Sequence, residues 1–179
     1  MATNRSRSPS LQYVLFYDHA IHAGNPFELA VFSQWFPSPF VDPLHPGVIF
    51  ATAEHYMMYR KALVFDPPVA QHIIDAQHPS RAKELGREIQ NFSRLEWQKH
   101  ADDVVERANY LKFGQNADLK TVLLATGEAI MVEASPVDRI WGIGFSAAEA
   151  RGKEEQWGAN SIDPGQNQTA RRARQVASA

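Results

Sequence analysis

The chain has 179 residues, of which 44% are hydrophobic and 21% are charged, and its net charge is −2. This composition is typical of one soluble globular domain, and the small net charge gives no overall attraction to nucleic acid or to an anionic membrane. The absence of cysteine excludes disulfides, thiolate chemistry and cysteine-based zinc sites, and no apolar run approaches the ~20 residues that span a bilayer.

The N-terminal part of the chain predicts a disordered leader, two strands and an irregular connection. Residues 1–10 lack the apolar segment of a secretory signal. A chain without cysteine also suits a reducing compartment. The two observations favour a cytoplasmic location, with the nucleus as the alternative. LQYVLFYD (11–18) and FELAVF (27–32) are apolar and aromatic and predict buried strands. PSPFVDPLHPG (37–47) contains four prolines and is expected to be irregular.

Helical signals dominate the middle of the chain. VIFA (48–51) predicts a short strand that leads into a helix with Thr52 as its N-cap. The spacing of Ser93 and Glu96 predicts the start of a long helix, whose apolar residues recur every three or four positions. These apolar residues are Trp97, Ala101, Val104, Ala108 and Leu111. Further helices are predicted at 67–77 after Asp66, at 79–89, and at 117–127 between Asn116 and Gly127.

The C-terminal part returns to strand and turn patterns. AIMVEA (129–134) predicts a strand, and DRIWGIGF (138–145) predicts a short strand or a tight turn that its two glycines permit. Residues 161–179 contain few large apolar side chains and are expected to form a loose tail. Strands near both ends and helices between them predict an α+β fold, a helix-rich single domain with a small sheet over residues 11–160.

The stretch TAEHYMMYRK (52–61) places Glu54 and Lys61 seven residues apart on one predicted helix. Seven steps of about 100° bring the two side chains to within roughly 20° of each other, about 10 Å apart along the axis. A carboxylate in an apolar pocket stabilises an oxocarbenium-like transition state at a sugar's anomeric carbon or activates water, and a desolvated lysine forms a Schiff base. The alternative is a solvated helix face with a long-range charge pair.

Other residues in the sequence are further candidates for a site. Asp138 and Trp141, followed by glycine, offer a carboxylate and a stacking face in one turn, and a purely structural turn is the alternative. Trp97 lies on the helical seam, where a core position is favoured over a ligand contact. The seven histidines include no His-Glu-x-x-His and no paired zinc spacing, so no metal site is expected.

Six segments of the sequence carry motifs that are specific in combination: a Glu-His-Tyr helix, a Lys-Phe-x-Gln-Asn segment and an Asp-x-x-Trp-Gly-x-Gly turn. The segments are SQWFPSPF (33–40), TAEHYMMYRKAL (52–63), AKELGREI (82–89), LEWQKHADDVVERANYLKFGQN (95–116), LLATGEAIMVEASPVDRIWGIGF (123–145) and WGAN (157–160). The segments occur in the order found in one family and cover most of residues 14–160. In them the sequence resembles the NADAR or YbiA-like N-glycosidases.

The resemblance implies a helix-rich α+β single domain that cleaves N-glycosidic bonds. We expect no metal, because of the absent cysteines and histidine pairs, and no cofactor. Substrates reported for such proteins are phosphorylated ribosylamino-pyrimidine intermediates of riboflavin synthesis and ADP-ribose attached to guanine bases. In both, C1 of a ribose is joined to a nitrogen of a base-like ring, so one site chemistry serves both. The expected partner is therefore a nucleotide-like small molecule or ADP-ribosylated guanine in nucleic acid, and no membrane.

The resemblance also implies roles for individual residues. Glu54 and Asp138 are expected to supply catalytic carboxylates at the ribose, and Lys61 to act as a nucleophile or an electrostatic stabiliser. The expected substrate-binding residues, with a tryptophan stacking on the base, are Trp97, Trp141, Ser33, Tyr56 and Asn160.

The sequence departs from the family pattern after Asn160. The family has a Leu-Leu-Gly-type helix ending in arginine at this point. Here residues 161–165 read Ser-Ile-Asp-Pro-Gly, and proline and glycine prevent the immediate continuation of such a helix. The alternative to an enzyme is therefore an ADP-ribose or nucleotide binding module that keeps the pocket and has lost turnover.

Overall fold

The computed structural model describes residues 13–139 and 141–158. The predicted leader, Asn160 and the predicted tail at 161–179 lie outside the described residues. Within them the chain forms helices and two small sheets, which confirms the α+β prediction. The elements are β1 Tyr13–Phe16, α1 Phe27–Ala30, β2 Phe40–Val41, β3 Ile49–Phe50, α2 Ala53–Phe65, α3 Ala70–Ile74, α4 Pro79–Glu88, α5 Arg94–Gln115, α6 Ala117–Ala125, β4 Ile130–Glu133 and α7 Ala147–Ala150.

The two sheets have two strands each. β1 and β4 are parallel, with Tyr13 opposite Ile130 and Phe16 opposite Glu133. Because parallel strands share one carboxyl edge, the residues that follow Phe16 and those that follow Glu133 leave the sheet on the same side. β2 and β3 form an antiparallel pair immediately before α2.

The helix predicted at 67–77 is a 3₁₀ turn at Pro67–Val69 followed by the short helix Ala70–Ile74. Two segments outside the predicted helices also differ from their predicted structure. Residues 27–32 were predicted as a strand, but Phe27–Ala30 is a helix that starts after Pro26. The last three residues of the segment, Ala30 to Phe32, are all buried in one apolar cluster. Their hydrophobicity therefore shows neither the alternation of a strand nor the spacing of a helix. The proline-rich segment is not wholly irregular either, because Phe40–Val41 pairs with β3 between prolines that flank it on both sides.

The predicted starts of the two main helices are confirmed. The Thr52 hydroxyl accepts a hydrogen bond from the His55 backbone N–H at 3.3 Å, and Ser93 accepts one from the Glu96 N–H at 3.3 Å. Asp66 does not cap the 3₁₀ turn Pro67–Val69 with its side chain. Its carboxylate accepts a hydrogen bond from the Gln90 N–H at 3.0 Å instead and so ties the end of α2 to the end of α4.

The helix α2 is the centre of the packing. One side of α2 contacts α5, whose predicted seam is confirmed, since Ala101, Val104, Ala108 and Leu111 are buried. The other side contacts α3 and α4. In the ranges 13–139 and 141–158, no helix combines the length and the apolar character needed to cross a bilayer.

Candidate functional site

Glu54 lies in the first turn of α2 and is only 3% exposed. Its Oε1 atom is buried and has no hydrogen-bond partner among the described residues. Burial raises the pKa of the Glu54 carboxyl, while Lys83, the Trp35 side chain and Arg87 act in the opposite direction. The alternative of a solvated helix face is therefore wrong for Glu54, and a buried acceptor without a partner is typical of a functional site.

Lys61 lies two turns further along α2. Its Nζ donates a hydrogen bond to the Gly86 carbonyl oxygen of α4 at 2.6 Å and lies 4.1 Å from the centre of the Phe92 ring. Burial lowers the pKa of this half-buried amine, and the Glu54 carboxyl raises it. The predicted coupling of the two side chains along one helix face is therefore present, with desolvation and charge acting in opposite directions.

The turn after β4 holds Asp138 in a defined position. The Asp138 backbone N–H donates to Ser135 Oγ at 3.1 Å, and the Asp138 carboxylate accepts the Trp141 N–H at 2.9 Å. Gly142 is required here, because a Cβ at this position would lie 2.6 Å from the Ser135 Cβ and 2.8 Å from the Asp138 carbonyl oxygen. Of the two predicted structures for 138–145, the described residues 138–139 and 141–145 show the tight turn.

Glu133 is a further acidic residue beside this turn. It is the last residue of β4, partly buried, and burial raises its pKa to about 7, with Asp138 and Glu54 adding to the increase. Glu54, Glu133 and Asp138 therefore form one group of interacting carboxyls, which we call the carboxyl cluster. Three different elements of the fold bring it together: the first turn of α2, the end of β4 and the turn after it.

The helix α4 brings positive charge to the carboxyl cluster. Lys83 interacts electrostatically with Glu54 and Glu133, and its Nζ lies 5.6 Å from the centre of the Trp35 ring. Arg87, one helical turn later, lowers the pKa of both Glu54 and Lys61. The cluster is thus a mixed-charge site, with acids from α2 and the β4 end facing bases from α4.

Segment 33–36 forms the support behind Glu54. The Glu54 N–H donates to the Gln34 carbonyl at 3.0 Å, and the Lys112 Nζ donates to the Ser33 carbonyl at 2.8 Å. Ser33 itself is buried, and its hydroxyl accepts the Trp35 N–H at 3.3 Å. These bonds fix the segment that presents Trp35 to Glu54.

The other predicted binding residues have different surroundings. Tyr56 is fully buried, and its hydroxyl donates to Asp42 and accepts from Arg60, both at 2.7 Å. Trp97 is partly buried against the apolar cluster that contains Tyr56, as the core alternative expected. Trp141 is partly exposed beside Asp138. Substrate contact by these residues and by Ser33 stays a prediction, and Asn160 lies outside the described residues.

Four residues of the site were not singled out from the sequence: Trp35, Lys83, Arg87 and Glu133. Each lies within a segment that carries the family resemblance, but the motifs alone gave them no role. The i, i+4 spacing of Lys83 and Arg87 is the sequence feature that could have identified these two residues as a pair, because it places both on one face of α4. Over the described residues, no group of three or more histidine, aspartate or glutamate side chains is arranged to hold a metal ion.

Comparison with known proteins identifies related chains. The NADAR domain family matches residues 16–166. N-glycosidase R617 of Acanthamoeba polyphaga mimivirus is 42% identical over 163 residues, which cover 87% of this chain and 89% of that protein. Riboflavin biosynthesis protein PYRR, chloroplastic, of Zea mays is 34% identical over 123 residues, which cover 63% of this chain and 20% of that protein.

A bacterial relative provides a structural comparison. N-glycosidase YbiA of Escherichia coli K12 is 34% identical over 98 residues, which cover 55% of this chain and 60% of that protein. The NMR structure of the E. coli protein YbiA superposes with a TM-score of 0.67 and 24% identity, over 93% of this chain and 85% of the other. This superposition shows a common fold.

Proposed function

Because the chain belongs to the NADAR domain family, we propose that it is an N-glycosidase that hydrolyses the bond between C1 of a ribose and a nitrogen of a base-like ring. The observation that carries this proposal is the buried Glu54 carboxyl, whose Oε1 has no partner among the described residues. It shares a helix face with Lys61 and interacts with Asp138. The names of the mimivirus and E. coli relatives, both N-glycosidases, support the same activity.

The site residues suit the charge that develops during this reaction. Cleavage of a glycosidic bond produces an oxocarbenium-like centre at C1, which carboxylates stabilise. Glu54 and Asp138 supply these carboxylates, and one of them accepts a proton from the attacking water. Lys61 either attacks C1 and forms a Schiff base with the opened ribose, or stays charged and orients the substrate. Trp141, beside Asp138, stacks on the base, and no cofactor is needed.

The substrate proposed is a ribose that carries phosphate, linked to a nitrogen heterocycle. ADP-ribose on guanine and the ribosylamino-pyrimidine phosphates of riboflavin synthesis both meet this description. The name of the maize relative supports the second group. The positive side chains of α4, Lys83 and Arg87, offer the charge that a phosphorylated substrate of either group requires.

The proposal is tested by incubating the purified protein separately with guanine-linked ADP-ribose and with the ribosylamino-pyrimidine phosphate, and following free base by chromatography. Release of base from either substrate, absent in Glu54→Gln, is the expected result. If neither base is released while ADP-ribose binds saturably in a calorimetric titration, the protein is a binding module and the proposed activity is wrong.

A further inference from the structure

Glu133 occupies a position that the proposed reaction has not yet used. Its backbone carbonyl accepts a hydrogen bond from the Ile143 N–H at 3.0 Å, so the turn that carries Asp138 folds back over the end of β4. Within the described ranges, the Glu133 carboxyl group itself forms no hydrogen bond and no ion pair. The strand and the turn that folds over it therefore position the Glu133 side chain at the carboxyl cluster.

The groups that face Glu133 come from each element that borders the carboxyl cluster. Glu54 of α2 and Asp138 of the turn are acidic, and Lys83 of α4 is the basic group. Across the β1–β4 pair, Glu133 lies opposite the apolar Phe16. Burial and two neighbouring carboxyls together outweigh one ammonium group, and this keeps the Glu133 carboxyl protonated up to a pH of about 7.

Glu54 has a different balance of charges. Burial and Asp138 raise the Glu54 pKa, whereas Lys83, the Trp35 side chain and Arg87 favour its ionised form. When two carboxyl groups have different surroundings, one can act as the proton donor and the other as the proton acceptor. Glycosidases use such a pair. Lys83 alone among the described cations acts on Glu133, whereas Lys83 and Arg87 both act on Glu54. Glu133 is therefore the better suited of the two to donate, and Glu54 to accept.

On the premise of the proposed N-glycosidase function, we propose that Glu133 is the general acid that protonates the nitrogen through which the base leaves. As the C1–N bond breaks, its electron pair passes to the nitrogen, which takes the proton from the Glu133 carboxyl. Water oxygen bonds to C1 and its proton passes to the Glu54 carboxylate. The products are the free base and a ribose with a C1 hydroxyl, and proton exchange with solvent restores both carboxyls. Attack by Lys61 in place of water needs the same protonation of the nitrogen.

The test is the pH dependence of base release by the parent, Glu133→Gln and Glu128→Gln, a control at an exposed glutamate in the turn before β4. The parent is expected to lose kcat/KM as the pH rises above about 7, because the acid form of Glu133 disappears. Glu133→Gln is expected to lose this alkaline decline and to lower kcat by about 10²- to 10⁴-fold with little change in KM, whereas Glu128→Gln behaves as the parent.

Two further measurements separate the possible failures. A small acid such as imidazolium is expected to restore part of the activity of Glu133→Ala in proportion to its concentration, which a structural role does not explain. A parent profile without an alkaline decline near pH 7 overturns the acid role of Glu133 even if the variants do not fold. If Glu133→Gln releases base at a rate within about threefold of the parent, the acid role of Glu133 is wrong, but the N-glycosidase function is not affected. Absence of base release by the parent overturns both.

Discussion

The Lys61 Nζ of α2 donates a hydrogen bond to a backbone carbonyl of α4, that of Gly86, at 2.6 Å. Gly86 has no Cβ, and this allows the two helices to come so close. A Cβ built at this position would lie 2.1 Å from the Sδ of Met58. The same approach brings Lys83 and Arg87, on α4, within electrostatic range of Glu54. The α2–α4 contact therefore sets the geometry of the positive part of the site.

Gly86→Ala is expected to destabilise the protein by about 1–3 kcal/mol, since the added methyl group overpacks a buried contact in which Met58 is only 8% exposed. Urea unfolding of the parent and the variant measures the difference. Gly114→Ala in α5 is the matched control, because nothing lies within 4 Å of its Cβ position, and it is expected to raise the stability by up to about 1 kcal/mol. Equal stability of Gly86→Ala and the parent contradicts the close packing.

Sequence patterns predicted the elements in which one face is buried and the other is not. The seam of α5 and the alternating burial of β4 are of this kind. The pattern failed at 27–32 because Ala30, Val31 and Phe32 are all buried. Three consecutive buried residues follow neither the alternation of a strand nor the three-to-four spacing of a helix, so this hydrophobic run does not distinguish the two structures.

The site was only partly predictable for a different reason. The residues that bury Glu54 and surround it with charge come from segment 33–36, from α4 and from the turn after β4. These segments are distant in sequence, so spacing on α2 alone did not distinguish a solvated face from a pocket. From its neighbours in sequence, Glu133 is expected to be an ordinary solvent-facing residue of a strand. The parallel pairing with β1 and the turn that folds back over the strand place it with Glu54 and Asp138.

Glu54→Gln is expected to abolish base release and leave the fold intact, because the amide keeps the shape of the side chain and loses the charge. Its unfolding free energy is expected to stay the same or to increase, since the change removes a buried carboxyl whose Oε1 lacks a partner among the described residues. Single-turnover assays and circular dichroism measure the two effects. Full activity in this variant contradicts the carboxylate role.

Base release is expected to continue in EDTA, since the sequence has no cysteine and no paired histidine spacing for a metal. Metal analysis of the purified protein is expected to find no stoichiometric zinc, iron or manganese. Loss of turnover on chelation, together with recovery when one metal is added back, contradicts this prediction. Recovery has to be specific to that metal, because chelators also remove trace ions that inhibit.

Lys112 is expected to make the stability depend on pH. It is fully buried, and burial lowers its pKa to about 7. Between this value and the ordinary lysine pKa near 10.5, the unfolded chain binds a proton that the folded protein does not. The stability of the parent relative to Lys112→Met is therefore expected to rise by about 1.4 kcal/mol for each pH unit over this window.

Urea unfolding of both proteins at pH 7, 8 and 9 measures the Lys112 effect. Lys99→Met is the control, because Lys99 is exposed and its removal is expected to leave the pH profile parallel to that of the parent. Parallel profiles for the parent and Lys112→Met show that the buried amine does not titrate in this range.

The role of Lys61 depends on which of two opposing effects dominates. Burial favours the neutral amine, and the Glu54 carboxyl favours the ammonium form. Because burial is the stronger effect and the net pKa is lowered, we expect the amine to attack the anomeric carbon and the opened ribose to form an imine with it. Borohydride added during turnover is then expected to leave a protein–sugar adduct, detected by mass spectrometry and absent in Lys61→Ala.

Lys61→Arg distinguishes the nucleophile from the electrostatic group, because arginine keeps the charge and forms no such imine. A nucleophilic Lys61 predicts that the arginine variant loses base release by a factor comparable to that of Lys61→Ala, with no adduct in either. The hydrogen bond to Gly86 is available to an arginine as well, so a loss of activity does not follow merely from a broken helix contact. If the arginine variant works nearly as well as the parent and borohydride traps nothing, Lys61 stabilises charge, and water attacks the ribose directly.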